Sequence, residues 1–460
     1  MRRTLALLTL LALAGATPAL AQVDLTRYVA LGDSLTAGFA SGGLVQYYQE
    51  RSYPALLAQQ AGVAAGFEMP LVSEPGLPPL LELVSLAGGV PVVVAPPVDP
   101  GAPLNATLQR PYNNLGVPGS NTFDLVNTTG DIQNLLAGNT DNVMHDLILR
   151  FPEAAGPSGP IPATALVQAI GLDPTFLTLW IGNNDLLGAA IYATPMDGVT
   201  MTPVGNFEQL YTTAVGTLVQ MTDADIVLIN LPDVTAIPFV TTVEPFVTIP
   251  GFGTVQLLGQ FADGVRPIPA DHYLTLNASA LIAQGYGIPG TGAPALPDDL
   301  TMQGNAIMPG VILRPDEVDA INSRVAAFNG VISAAASQFS LEVLDVNARF
   351  NEIAGGELWM LGGIAISADF LTGGIFSYDG VHPQNIGYAL VAVDLIELLN
   401  EQMGADLPQV NMADILCSGG CGDGDVPLTG KADFSFETVQ RLMDTFPLLG
   451  RPAHEHSAVD

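Results

Sequence analysis

The sequence predicts an α/β fold built on a parallel sheet with helices on both faces. Apolar runs of strand length alternate with segments of helical periodicity, which is how a parallel sheet and its crossover helices read in sequence. Three of the runs stop at Gly or Pro, residues that punctuate strand ends.

The first strand is expected at residues 28–31, Tyr-Val-Ala-Leu, just before Gly32-Asp33-Ser34. A helix is expected over 53–63, with Pro54 in its first turn, where the missing N–H costs nothing. Residues 176–181 read as a strand ending at Gly182, residues 226–231 as another ending at Pro232, and residues 341–346 as a further one. Before that last strand, Val318, Ile321, Val325, Phe328 and Ile332 recur at intervals of three and four. This is the buried stripe of a helix, opened by the acidic turn Pro315-Asp316-Glu317. After His382, residues 385–402 carry Leu390, Val391, Val393, Leu395, Ile396 and Leu399 and read as the closing helix of the domain.

Residues 67–111 and 236–312 do not fit the alternation and are rich in Pro and Gly. Loops of such length in a compact domain are usually functional or form a small subdomain. These two are read as insertions that either shape and cover a substrate cleft or serve as packing decoration. From residue 404 the chain becomes an acidic, Gly-rich tail to residue 460, with a weak helical stretch at 434–443. The expected division is therefore a leader at 1–21, one domain with two insertions at 22–403, and the tail.

The leader has a signal-peptide pattern: Arg2 and Arg3, an apolar stretch at 5–16, and Ala19-Leu20-Ala21 before Gln22. The stretch is too short for a comfortable membrane span, and no later segment looks transmembrane. An exported protein, periplasmic or extracellular, is expected. Of the 13 basic residues 11 remain after the leader, against 45 acidic ones, a balance of −34. Lys431 is the only lysine. Phosphate binding needs clustered Lys and Arg, so nucleic acid and anionic membranes are excluded as partners. The two cysteines, Cys417 and Cys421, favour a local disulfide in an exported chain. A metal site there would lack nearby ligands, and no cofactor is expected.

Four blocks carry chemistry. Ser34 ends the first strand, which presents its hydroxyl at the carboxyl edge of the sheet. The turn Asn113-Asn114-Leu115-Gly116-Val117-Pro118-Gly119-Ser120-Asn121-Thr122 holds Gly119, whose N–H can approach a substrate without a side chain in the way. Trp180-Ile181-Gly182-Asn183-Asn184-Asp185 follows a strand, and an Asn amide there can donate to an oxyanion or cap a helix. Asp379-Gly380-Val381-His382-Pro383 supplies an acid and a base three residues apart. A serine hydroxyl becomes a useful nucleophile only when an imidazole takes its proton and a carboxylate orients the imidazole.

With these blocks in this order, the chain resembles the GDSL family of esterases and lipases, also called SGNH hydrolases, over roughly residues 25–402. The resemblance implies a three-layer α/β/α, flavodoxin-like fold of about five parallel strands, and ester hydrolysis without a metal. Position by position it implies Ser34 as nucleophile, His382 as general base and Asp379 as its orienting acid. Gly119, Asn184 and the Ser34 N–H would form the oxyanion hole. The long insertions depart from compact members of the family. Their apolar residues Leu80, Leu81, Val92, Phe239, Phe246 and Phe252 would suit an acyl chain and favour a lipid-like or aryl ester. Deacetylation of a polysaccharide or glycan, or ligand binding without catalysis on the same scaffold, are the alternatives. Oligomeric state is not legible.

Overall fold

In the computed structural model, five parallel strands form the centre of the molecule. They are β1 (Tyr28–Gly32), β2 (Asn114–Gly116), β3 (Phe176–Trp180), β4 (Asp225–Ile229) and β5 (Glu342–Leu344), in the order β5-β4-β3-β1-β2. Every residue of β1, β2 and β3 is buried. A sheet covered on both faces needs largely apolar strands rather than alternating ones, which is why β1 and β3 stand out in the sequence. The structure describes residues 22–85, 92–139, 141–249, 251, 253–303, 306–356, 359–361, 364–417 and 433–434. The expected leader lies outside them, as does the pairing of Cys417 with Cys421. Of the helix expected at 434–443 only Phe434 is described, and it belongs to a strand, Asp433–Phe434, paired with Val92–Val94.

The helices that matter for the site are α1 (Ser34–Ala37), α2 (Tyr53–Gln60), α3 (Thr122–Asn127), α4 (Val143–Ile148), α5 (Val204–Met221), α6 (Pro315–Phe339) and α7 (Asn385–Gln402). They flank the sheet on both sides, giving the three-layer α/β/α architecture. In one layer α5 packs on α6, and in the other α2 packs on α7. The α6 stripe is core: Ile321, Val325, Phe328 and Ile332 are buried, and Phe328 stacks on Phe207 of α5 with ring centroids 3.9 Å apart. Helix α2 ends three residues before the expected limit. There the Val63 N–H turns back to the Ala58 carbonyl at 2.9 Å and closes the helix.

Strand β2 was expected to be part of a turn. It pairs with β1 from Ala30↔Asn114 to Gly32↔Gly116. Three residues that begin with Asn show no apolar run, so the strand has no signature of its own. Its Asn114 side chain donates to the Thr36 carbonyl at 2.8 Å and fastens the strand to α1.

Both irregular segments are tied to the core. In the first, the Gln49 side chain bonds the Pro70 carbonyl at 2.7 Å and the Val72 N–H at 2.9 Å. Farther along, the buried Arg150 guanidinium lies 3.9 Å from the Tyr112 ring centroid and donates to the carbonyls of Ala106, Leu108 and Arg110. The second segment holds helices Pro238–Thr241 and Asn277–Ala283 and short hairpins such as Leu258–Phe261 with Gly264–Pro267. None of these hairpins joins the central sheet.

Two buried aspartates stitch the strand ends together. The Asp33 carboxylate accepts from the Leu35 N–H at 3.0 Å and from the Asn183 amide at 2.8 Å. Asp185 accepts from the Thr122 N–H at 2.8 Å and the Thr122 hydroxyl at 2.7 Å. Burial pushes the Asp33 pKa up to about 6 and the Asp185 pKa up to about 7, against the opposing pull of these hydrogen bonds.

Two predictions follow from this packing. A Cβ added at Gly116 would lie 2.4 Å from the Ala37 nitrogen and 2.8 Å from the Thr36 carbonyl carbon, which is backbone that cannot swing aside. Gly116→Ala should therefore cost about 1–3 kcal/mol, read as a lower urea midpoint with an unchanged slope; an unaltered midpoint would refute the close approach. The second concerns pH. Between roughly pH 4 and pH 7 the unfolded chain has released protons that Asp33 and Asp185 still hold in the native state, so stability from these groups falls as pH rises. In about 1 M NaCl, which screens surface repulsion, the urea midpoint should fall across that interval, and less steeply in Asp185→Asn. Equal slopes in the two proteins would count against the Asp185 assignment.

Candidate active site

Strand register gathers three of the four chemical blocks. Gly32 pairs with both Gly116 and Trp180, so β1, β2 and β3 leave the sheet at one level. Ser34 follows β1, Gly119 follows β2, and Asn184 follows β3. The strand order reverses around β1, and ligands of open α/β sheets bind at such a switch point, outside the carboxyl ends of the strands. Ser34 opens α1 and is only 4% exposed.

The fourth block reaches this edge from the far end of the chain. His382 Nδ1 lies 2.9 Å from Asp379 Oδ2, and both side chains are buried. Asp379 Oδ1 accepts from the N–H groups of Val381 at 2.9 Å and His382 at 2.8 Å, and from the Ser377 hydroxyl at 3.2 Å. Its Oδ2 also accepts from the Gly42 N–H at 2.9 Å, a residue of the loop that follows α1. Burial alone would raise the Asp379 pKa; the His382 charge and these hydrogen bonds outweigh it and hold the pKa below the usual carboxylate value. Aspartate is thus kept charged beside the imidazole.

The same loop meets the His382 block at further points. The Ser41 N–H donates to the Ser377 hydroxyl at 2.8 Å, and the Phe39 ring lies 4.8 Å from the imidazole centroid. Asp33, next to Ser34, is close enough to His382 for its charge to favour the Asp33 carboxylate. Ser34 and the Asp379–His382 pair therefore share one locality.

The candidate oxyanion donors are held as firmly. Asn184 donates one amide hydrogen to the Ser120 carbonyl at 2.8 Å, which sets the plane of the amide beside Gly119 and leaves its second hydrogen available. Among the described residues the backbone N–H groups of Ser34 and Gly119 have no protein acceptor. Gly119 and Asn184 are half-buried, whereas Ser34, Asp379 and His382 are buried. The donors thus line the more open side of the site. Chemically, the arrangement offers a hydroxyl, an imidazole oriented by a carboxylate, and N–H donors at one sheet edge.

The 236–312 segment also braces this site through its main chain. The Phe239 N–H donates to the Gly380 carbonyl at 2.9 Å, and the Leu276 N–H donates to the Phe239 carbonyl at 2.7 Å. An added Cβ at Gly380 would meet Leu276 Cδ1 at 2.6 Å. Phe239 is fully buried and Leu81 almost so, each packed in a hydrophobic cluster. Apolar composition reveals that such residues will be covered, but not by what. Phe252 lies outside the described residues.

Sequence reasoning also missed the partners that orient the site. Asp33, Asn183 and Asp185 adjoin candidate residues, and their position at the ends of apolar strands was the available signal. Ser41, Gly42 and Ser377 offered none, being ordinary loop residues joined only by long-range contacts.

The family model for GDSL-like Lipase/Acylhydrolase matches residues 28–395, which span all four blocks. No curated protein matches the chain. A solved structure from Parabacteroides merdae ATCC 43184, assigned as a GDSL-like lipase, is 12% identical; the match covers 83% of this chain and 99% of that one, at a TM-score of 0.33. That overlap is too slight to add to the fold described above. On the extent of the family match, and with its sequence blocks meeting at one sheet edge, the chain belongs to the GDSL-like lipase/acylhydrolase family.

Proposed function

We propose that the protein is an exported serine ester hydrolase acting on neutral carboxylic esters, with Ser34 as nucleophile, His382 as general base and Asp379 as the residue that orients His382. The observation that carries this reading is the buried Asp379–His382 pair at 2.9 Å, bonded through the Gly42 N–H to the loop that follows Ser34. In this mechanism His382 Nδ1–H donates to Asp379, so Nε2 is the basic nitrogen. Nε2 takes the Ser34 proton as Oγ attacks the ester carbonyl. The oxyanion of the tetrahedral intermediate accepts from the N–H groups of Ser34 and Gly119 and the second amide hydrogen of Asn184. His382 then protonates the departing alcohol, and water, activated by the same nitrogen, releases the acid from the acyl-enzyme.

The charge of the chain, 45 acidic against 13 basic residues, favours neutral over anionic substrates. The signal-like pattern of residues 1–21 supports a site of action outside the cytoplasm.

Ser34→Ala should abolish hydrolysis of p-nitrophenyl butyrate while circular dichroism remains that of the native protein. Retained turnover in that variant would falsify the assignment. Asn184→Ala should lower kcat by roughly 10²–10³ if its amide serves the oxyanion. A fall confined to KM would instead assign Asn184 to ground-state binding.

A further inference from the structure

We infer that His145 is a positioning residue for the oxyanion donors, acting through Ser120. The inference rests on the hydrolase reading above and extends it to an element that none of the four sequence blocks includes. His145 lies on α4, and its Nε2 is 3.0 Å from the Ser120 hydroxyl. Ser120 is itself the junction of the oxyanion turn. It follows Gly119 directly, its carbonyl accepts the Asn184 amide at 2.8 Å, and only 3% of it is exposed. A contiguous chain therefore runs from the imidazole of residue 145 to the Ser120 hydroxyl, then from the Ser120 carbonyl to the Asn184 amide.

The turn is braced at its other end without His145. The Ser120 N–H bonds the Val117 carbonyl at 3.1 Å, Asn121 caps α3, and Thr122 is held by Asp185. These contacts fix where the turn begins and where α3 starts. With the Asn121 N–H on the Asp124 carboxylate at 3.1 Å, they hold the backbone on either side of Ser120, and the His145 contact adds a hold on its side chain, next to Gly119 and to the carbonyl that orients Asn184. Helix α4 is a firm base for such a link, because the Asp131 N–H bonds the Asp146 carboxylate at 2.7 Å beside it. Ser34, Asp379 and Asn184 are addressed by the proposed mechanism; a second buried serine bonded to a second histidine is not.

The test compares kcat and KM for p-nitrophenyl butyrate in His145→Leu, Ser120→Ala, the double variant and His145→Gln, with Ser34 labelling by a fluorophosphonate as a separate readout. Misaimed donors should lower kcat about tenfold, less than the loss of a whole donor, with KM within about twofold. Because one link is broken in each case, the double variant should be no slower than either single one. His145→Gln, which can still bond the hydroxyl, should recover to within about threefold of wild type. Turnover of His145→Leu within about twofold of wild type, or single effects that multiply in the double variant, would overturn the inference. Should His145→Leu fail to fold, Ser120→Ala breaks the same link without touching α4, and a kcat within about twofold of wild type there would overturn it equally. A wild-type protein that neither hydrolyses the ester nor takes the label strikes the hydrolase reading instead.

Discussion

The carboxylate of Asp379 is the interaction around which the site is organised. A charge taken wholly out of water is tolerated only where donors replace its hydration, and here five surround it: the N–H groups of Gly42, Val381 and His382, the Ser377 hydroxyl, and His382 Nδ1. Four come from its own loop and one from the loop that follows Ser34. The need to satisfy one buried anion thus joins parts of the chain separated by more than three hundred residues. The imidazole is oriented by the same contacts.

The sheet supplies the other half of the arrangement. Three adjacent parallel strands end in register, so whatever follows each must crowd the same rim. That crowding explains why the residues at the rim are small or polar. Gly32 and Gly116 let α1 lie directly on the strand ends, and a methyl group at either would strike Thr36 or its neighbours. Asp33 and Asp185 then cross-link the loops with side chains too short to reach far.

Much of this was legible in the chain itself, for reasons that also mark where legibility stops. Strands buried on both faces read as unbroken apolar runs, and α6 and α7 declare themselves by their periodicity. Ser34 and Asn184 follow two of these strands, so locating the strands located them. Strand β2 was missed because three residues bonded to one neighbour need no apolar run. For Phe239, apolar composition records that the residue will be covered and not which surface will cover it. The pair of Ser120 with His145 was missed because a hydrogen bond across 25 positions leaves no local trace.

The Asp379 loop follows all five central strands in chain order, and that order has a temporal consequence. Chains emerge from the ribosome amino end first, and their early segments can begin to fold before the rest is made. Here Ser34, Gly119 and Asn184 all precede β4 and β5, whereas Asp379 and His382 come only after them. A nascent chain can therefore begin the sheet around Ser34 before Asp379 and His382 have been made. The Asp379–His382 pair thus joins a sheet whose five strands all precede it in the chain.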